Sequence, residues 1–260
     1  MRVFFATVYE RTAMIGFFGV VFFLIFYFLL TSPYILVAMV IEKFNPKLVQ
    51  QISLNMIKRG GRIVNKIIGV KMTVIGHENV PENEPVLYVG NHRSYFDVML
   101  TYVRVKGLTG YIAKDILGKI PFLHWWMIHA NCLFLDRKDI RQGMEVILKA
   151  IEYVNDGVSI TIFPEGTRNK TGEDMQPFHK GSFKIAQRTG CAIVPMVINN
   201  SDDIYEAHRP FVKRGCHIVI EYGKPFYMKD LSKEDQKNIH EYTRNLMTDI
   251  YRQNKAKTAG

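Results

Sequence analysis

Cysteine is scarce in this 260-residue chain. The three present, Cys132, Cys191 and Cys216, are odd in number and form no C-x-x-C pair. That excludes a disulfide framework and a cysteine-built zinc site, and it points to a reducing compartment. Acidic residues are short as well: 24 Asp and Glu stand against 34 Lys and Arg, a net charge of +10. Such an excess asks for an anionic partner, whether nucleic acid, an anionic membrane surface or a phosphorylated substrate. Glycine and proline stay at background level, 19 and 10 residues, while 48% of the chain is hydrophobic, which excludes a disordered or collagen-like protein. No serine sits in a G-x-S-x-G elbow, so a nucleophilic hydroxyl has to come from the substrate.

The longest absence is of charge. From Thr12 to Ile41, 30 consecutive residues carry none, and Phe22 to Leu30 is apolar throughout. Such a run would aggregate on a soluble nucleic-acid binder, so the anionic partner expected is a membrane, and no nucleic acid. A secretory signal fits poorly, because the run is too long for its apolar region and no small-x-small cleavage site follows. As one helix it would measure about 45 Å at ~1.5 Å per residue, against a hydrocarbon core of ~30 Å. Ser32-Pro33 offers a break, since the residue before proline is pushed out of the helical region. Ala13–Leu30 would then reach about 27 Å, enough to span, whereas Tyr34–Ile41 is too short. A single span and a bent helix pair dipping into one leaflet both satisfy this. Beyond the run Lys43, Lys47, Lys58, Arg59, Arg62 and Lys66 outnumber Glu42, which places the large C-terminal part at the cytoplasmic face of the membrane. Residues 44–69 alternate apolar and basic positions at helical spacing, with Gly60-Gly61 as an interruption. An amphipathic interfacial helix or a helix packed on the domain fits that pattern.

From Val70 onward, short β-rich runs alternate with helical segments. Strands are expected at Met72–Ile75, Val86–Gly90, Gly110–Ala113, Val158–Phe163, Ala192–Ile198 and His217–Tyr222. Helices are expected at Tyr95–Val105, Ile140–Asn155, Ser182–Thr189 and Glu234–Gln253, the last with a cap at Ser232 and Asp235. The alternation argues for an α/β fold, a largely parallel sheet flanked by helices, behind an N-terminal membrane-embedded helical segment. The chain divides accordingly into anchoring helices at 1–69 and an α/β domain at 70–260.

Ligands of open α/β sheets gather at the carboxyl ends of the strands. Two polar constellations fall there. After Val86–Gly90 comes Asn91-His92-Arg93-Ser94-Tyr95-Phe96-Asp97, and after Val158–Phe163 comes Pro164-Glu165-Gly166-Thr167-Arg168. On a continuous helix His92 and Asp97 would point about 140° apart. With His92 in the loop and Asp97 in the first helical turn, behind a cap at Ser94, imidazole and carboxylate come together. Asp97 then fixes the tautomer of His92 and raises its basicity, and His92 takes a proton from a substrate hydroxyl. The other seven histidines lack such a setting; His124 and His129 lie in an aromatic stretch that suits packing better than metal ligation, and no metal is expected.

These residues resemble the glycerolipid acyltransferases typified by 1-acylglycerol-3-phosphate O-acyltransferase. The N-H-x-x-x-x-D motif is met by Asn91, His92 and Asp97. Phe134-Leu135-Asp136-Arg137 resembles the second motif, with Asn131 where glycine is usual. Phe163 to Arg168 match F-P-E-G-T-R in full. Ile193-Val194-Pro195-Met196 resembles the fourth, with Ala192 where a first proline is common. The resemblance implies attack on a long-chain acyl thioester, carried by coenzyme A or acyl carrier protein, by the free hydroxyl of lysophosphatidic acid. Phosphatidic acid is the product, His92 the general base and Asp97 its orienting group; no cofactor is required. Arg137 and Arg168 would hold the acceptor phosphate, with Glu165, Gly166 and Thr167 around it. Lys114 is the candidate for oxyanion stabilisation. The acceptor stays open at this stage, since glycerol-3-phosphate or another lysophospholipid meets the same requirements. A non-catalytic, membrane-anchored binder of anionic lipid would explain the charge and the anchor but not the motifs.

Overall fold

A proline inside an apolar helix removes one amide donor, and the N-terminal segment absorbs that loss locally. The computed structural model describes residues 2–258. Helices α1 (Arg2–Thr31) and α2 (Pro33–Ile41) meet at Ser32, whose backbone stays helical at φ −58°, ψ −36°. The expectation that Ser32 leaves the helical region is therefore corrected. The Leu29 carbonyl, which residue 33 would ordinarily serve, accepts instead from the Ser32 hydroxyl at 2.8 Å. Ala13–Thr31 is long and apolar enough to cross a membrane, and its Phe18, Phe22, Phe26, Leu29 and Leu30 are exposed.

Two compact units make up the chain. The first gathers residues up to 73 with 93–104 and 200–218; the second holds 74–92, 105–199 and the remainder from 219. In the first, α3 (Pro46–Ile67) starts at Asn45, whose side chain accepts from the Leu48 amide at 3.1 Å, with Pro46 pre-set for a first helical turn. Gly60-Gly61 does not interrupt α3. Both glycines are buried, and a Cβ at Gly60 would lie 3.2 Å from the Tyr27 ring. At Gly61 it would lie 2.8 Å from Val103 Cγ1, just past the short helix α4 (Asp97–Tyr102). The pair is a notch that lets α1 and α4 approach α3, so the helix expected over 44–69 packs within the first unit. Tyr27 reinforces the contact by donating to the Met56 carbonyl at 2.8 Å.

The second unit is built on the sheet. Seven strands, β1 (Lys71–Ile75), β2 (Val86–Gly90), β3 (Thr109–Lys114), β4 (Leu133–Leu135), β5 (Ser159–Ile162), β6 (Ala192–Asn199) and β7 (His217–Tyr222), lie in the order β1-β7-β6-β2-β5-β3-β4. Strands β6, β2, β5, β3 and β4 are mutually parallel, and β7 runs antiparallel to β6. Between β3 and β4 lie α5 (Asp115–Gly118) and α6 (Pro121–His129). Helices α7 (Ile140–Asn155), α8 (Lys184–Thr189) and α10 (Ile239–Thr258) contribute Ala150, Val154, Ile185, Met247 and Tyr251 to a core under Leu87, Val89, Ile160, Ile162, Ile193 and Val197. Central strands buried on both faces read as unbroken apolar runs, which is why they were legible.

Several element bounds differ from expectation for identifiable reasons. Helix α4 starts at Asp97 rather than Tyr95, because 93–96 is held as a loop by side-chain bonds described below. The last helix divides at Asn238, φ −110°, into α9 (Lys233–Lys237) and α10, while Ser232 caps as expected, accepting from the Asp235 amide at 3.1 Å. A 3-10 turn at Lys180–Phe183 takes the start of the helix expected at Ser182. Strand β4 is only three residues long and falls between aromatic and charged residues, so no periodicity announces it.

Asn131 adopts the left-handed conformation, φ 56°, at the position where the resembling motif has glycine. Asparagine tolerates that region better than other non-glycine residues, so the departure preserves the backbone path. Gly110, on β3, faces this turn, and a Cβ there would fall on the Asn131 carbonyl. Gly110→Ala should therefore cost about 3 kcal/mol through overpacking, whereas Asn131→Gly should be close to neutral. Thermal unfolding midpoints of the two variants, measured side by side, check both.

Candidate active site

The carboxyl ends of the parallel strands deliver the predicted residues. Beyond Gly90 the pairing of β2 with β6 is continued by a side chain: Asn91 donates to the Ile198 carbonyl at 2.9 Å and accepts from the Ile198 amide at 2.7 Å. This buried amide, bonded through both its nitrogen and its oxygen, fixes where the chain leaves the sheet, and His92 follows at once. The imidazole stacks on Phe163 with centroids 4.5 Å apart and planes at 21°. Gly90 makes room for that ring, since a Cβ there would lie 2.8 Å from Phe163 Cε1.

Glu165 ties the two constellations together. Its buried carboxylate accepts from the His92 amide at 2.7 Å and from the Gln176 amide at 2.9 Å. The His92 carbonyl accepts from the Asn169 amide at 2.7 Å, so His92 is held through both its backbone groups. Asn169 in turn donates to the Glu173 carbonyl at 2.9 Å, and Arg244 of α10 binds the Met175 and Gln176 carbonyls at 2.7 and 3.0 Å. The loop after β5 is thereby fixed at several points. Glu165 works on main-chain amides here, a role that the sequence gives no hint of.

Gly166 has φ +71°, and a Cβ would meet the His179 ring at 2.9 Å and lie 3.9 Å from Arg137 Cδ. His179, which the sequence does not single out, donates its amide to the Pro164 carbonyl at 2.8 Å. Arg137 thus lies beside the E-G-T-R turn. It is carried there by β4 and by Gln142 in the first turn of α7, which binds the Asp136 amide and the Phe134 carbonyl at 2.7 and 2.8 Å. Asp136 accepts from the Lys138 amide at 2.9 Å. Partial burial holds the Arg137 guanidinium below the ordinary arginine value. Thr167 is exposed and Arg168 half-buried.

Lys114 ends β3 in register with Leu135, so it and Arg137 emerge at one edge of the sheet, Lys114 exposed. Strand β3 stands two places from β2, about 10 Å at ~4.8 Å per strand. His124 and His129 stack on Phe134 and Trp125, at 5.2 and 4.0 Å, in the packing role expected of them.

Asp97 belongs to the first unit. It is fully buried, and its Oδ2 accepts from the Arg93 and Ser94 amides, each at 2.8 Å. Ser94 is not the helix cap expected; Phe96 flanks α4, and the Ser94 hydroxyl accepts from the Phe96 amide at 3.1 Å.

Residues 71–199 match the Acyltransferase family. The chain is 33% identical over 186 residues to the 1-acyl-sn-glycerol-3-phosphate acyltransferase of Borreliella burgdorferi, covering 72% of this chain and 70% of that one. Identity to the Saccharomyces cerevisiae enzyme of the same name is 31%, over 74% of this chain and 63% of that one. Among solved structures, the crystal structure of the 1-acyl-sn-glycerophosphate (LPA) acyltransferase, PlsC, from Thermotoga maritima superposes with a TM-score of 0.71 at 26% identity, covering 89% of this chain and 94% of that one.

Glu165→Gln leaves one carboxylate oxygen replaced by a donor that faces a main-chain amide. The loss of one charge-assisted bond should destabilise the protein by about 2 kcal/mol. It should lower activity further than the stability change explains, because the His92 amide loses its anchor. Thermal unfolding and turnover measured on the same preparation check this.

Proposed function

This chain belongs to the acyltransferase family, and from that footing we propose that it transfers a long-chain acyl group from an acyl thioester to the free hydroxyl of 1-acylglycerol-3-phosphate, giving phosphatidic acid. The observation that carries the reading is the bond from the His92 amide to Glu165. It joins the start of N-H-x-x-x-x-D to F-P-E-G-T-R, so the base and the arginine-bearing loop belong to one fixed edge of the sheet.

In this mechanism His92 removes the proton of the acceptor hydroxyl as that oxygen attacks the thioester carbonyl. Asp97, five residues on, orients the imidazole and stabilises its charged form. The tetrahedral intermediate carries its charge on the former carbonyl oxygen, for which Lys114 is the candidate partner. Collapse breaks the carbon–sulfur bond, and the leaving thiolate recovers the proton from the imidazolium. Arg137 and Arg168 hold the acceptor phosphate, beside the backbone of Gly166 and the hydroxyl of Thr167. Among the described residues Arg137 makes no hydrogen bond or ion pair, which leaves its fork available to a phosphate.

Coenzyme A and acyl carrier protein both present the required thioester. The lipid acceptor resides in a membrane, and the apolar α1 and α2 with the basic residues of α3 suit attachment at its cytoplasmic face. Lys58 of α3 lies below the ordinary lysine value through burial and the nearby Arg62 charge.

Purified protein in lipid, offered labelled lysophosphatidic acid with matched coenzyme A and carrier-protein donors, should form phosphatidic acid. His92→Ala should lower kcat by about 100- to 10,000-fold. Arg137→Ala should raise KM for lysophosphatidic acid about 10- to 100-fold, as expected for a charged hydrogen bond, and leave the donor KM unchanged. Absence of product with either donor would refute the acceptor assignment.

A further inference from the structure

Arg93, Ser94, Tyr95 and Phe96 separate His92 from Asp97, and none of the four belongs to a helix or strand. A spacer without regular structure does not by itself set the direction of the residues at its ends. In the first unit this spacer is gripped by residues 202–209, more than 100 positions further along the chain. Arg93 donates through Nε and Nη2 to Asp202 Oδ2, at 3.1 and 3.0 Å. The Ser94 hydroxyl donates to Glu206 Oε2 at 2.6 Å, and the Tyr95 amide donates to Glu206 Oε1 at 3.0 Å. Arg209 lies over the rings of Tyr95 and Tyr205, at 5.8 and 5.2 Å, and approaches Glu206 at 3.9 Å.

Ser94 is thus held from two sides by two carboxylates. Its amide goes to Asp97 Oδ2 and its hydroxyl to Glu206 Oε2. The Glu206 side chain is only 13% exposed, and its bond to the Ser94 hydroxyl is part-buried and charge-assisted. We infer that Glu206, supported by Asp202, is a positioning residue for acyl transfer: within the first unit it holds the four-residue spacer whose Arg93 and Ser94 amides meet the Asp97 carboxylate. This rests on the assignment of His92 as general base. Catalytic geometry tolerates little error, and a displacement of ~1 Å lowers rates about 100-fold.

The test compares wild type, Glu206→Ala, Glu206→Gln and Asp202→Asn, with His92→Ala alongside. Each is assayed for phosphatidic acid formation, KM of both substrates and thermal midpoint. Glu206→Ala should lower kcat about 10- to 100-fold with both KM values nearly unchanged. Glu206→Gln retains one acceptor oxygen and should recover part of the loss. Wild-type kcat in Glu206→Ala would overturn the inference. So would a loss of kcat that tracks a lowered thermal midpoint and is not recovered in Glu206→Gln, since that marks a structural role alone. Should Glu206→Ala fail to fold, Glu206→Gln and Asp202→Asn decide by the same readings. Transfer that survives His92→Ala overturns the base assignment itself, and is recognised without reference to Glu206.

Discussion

Burying a carboxylate costs several kcal/mol unless its oxygens are met by donors, and the donors that Glu165 meets are the amides of His92 and Gln176. The arrangement of the sheet's carboxyl edge follows from this. Removing a charge from water next to the parallel strands is tolerated only where both loops present their N–H groups, so the loop after β2 and the loop after β5 are ordered by the same interaction. The Phe163 ring beneath the imidazole, the open space at Gly90 and the clamp from Asn91 to Ile198 then narrow the position of His92 further. A catalytic base is useful only when its location is over-determined in this way, because a side chain free to wander loses the advantage of proximity.

Acidic residues are the minority charge here, and several of them are used on main-chain amides. Asp97 accepts from the amides of Arg93 and Ser94, Glu165 from those of His92 and Gln176, and Glu206 from Tyr95 and the Ser94 hydroxyl. In the second unit Arg137 and Lys114 are exposed and take part in no ion pair among the described residues. A net charge of +10 is therefore more than a statement about solubility. It leaves cations on the edge where, in the proposed mechanism, a phosphate and a developing oxyanion would be held.

Much of the fold was legible because burial imposes period on sequence. Helix α7 matches its expected bounds, Ile140–Asn155, since an amphipathic repeat follows directly on Asp139, whose side chain caps Gln142. The buried strands stood out as apolar runs. Elements defined by contacts rather than by period were not legible: β4 is too short to show alternation, and Gly60-Gly61 looks like a helix breaker until the Tyr27 ring and Val103 are seen against it. Asn131 belongs to the same class, because only its φ shows that it does the work of a glycine. Within the site, the motif residues announced themselves by type and spacing. Residues that act through the backbone, Asn169, Gln176 and Glu206, carry no such signature, since any suitably placed donor or acceptor would serve.

The N-terminal helices bear on the same chemistry from the side of the substrate. A lipid with a long acyl chain is held in a bilayer, so an enzyme in free solution would meet it only rarely. The proposed attachment would confine enzyme and acceptor to one surface and raise their effective concentration without any new contact at the site. The anchor needs two properties for this, apolar area and positive charge, and the chain keeps them on different helices. Helices α1 and α2 expose Phe22, Leu29, Leu36 and Val40, while α3 turns Val49, Leu54 and Val64 inward and carries Lys47, Lys58, Arg59, Arg62 and Lys66. Gly60 and Gly61 allow α3 to pack closely while Lys47, Arg59, Arg62 and Lys66 stay exposed, so one helix carries both a packing notch and, under the proposed attachment, the charge for an anionic surface.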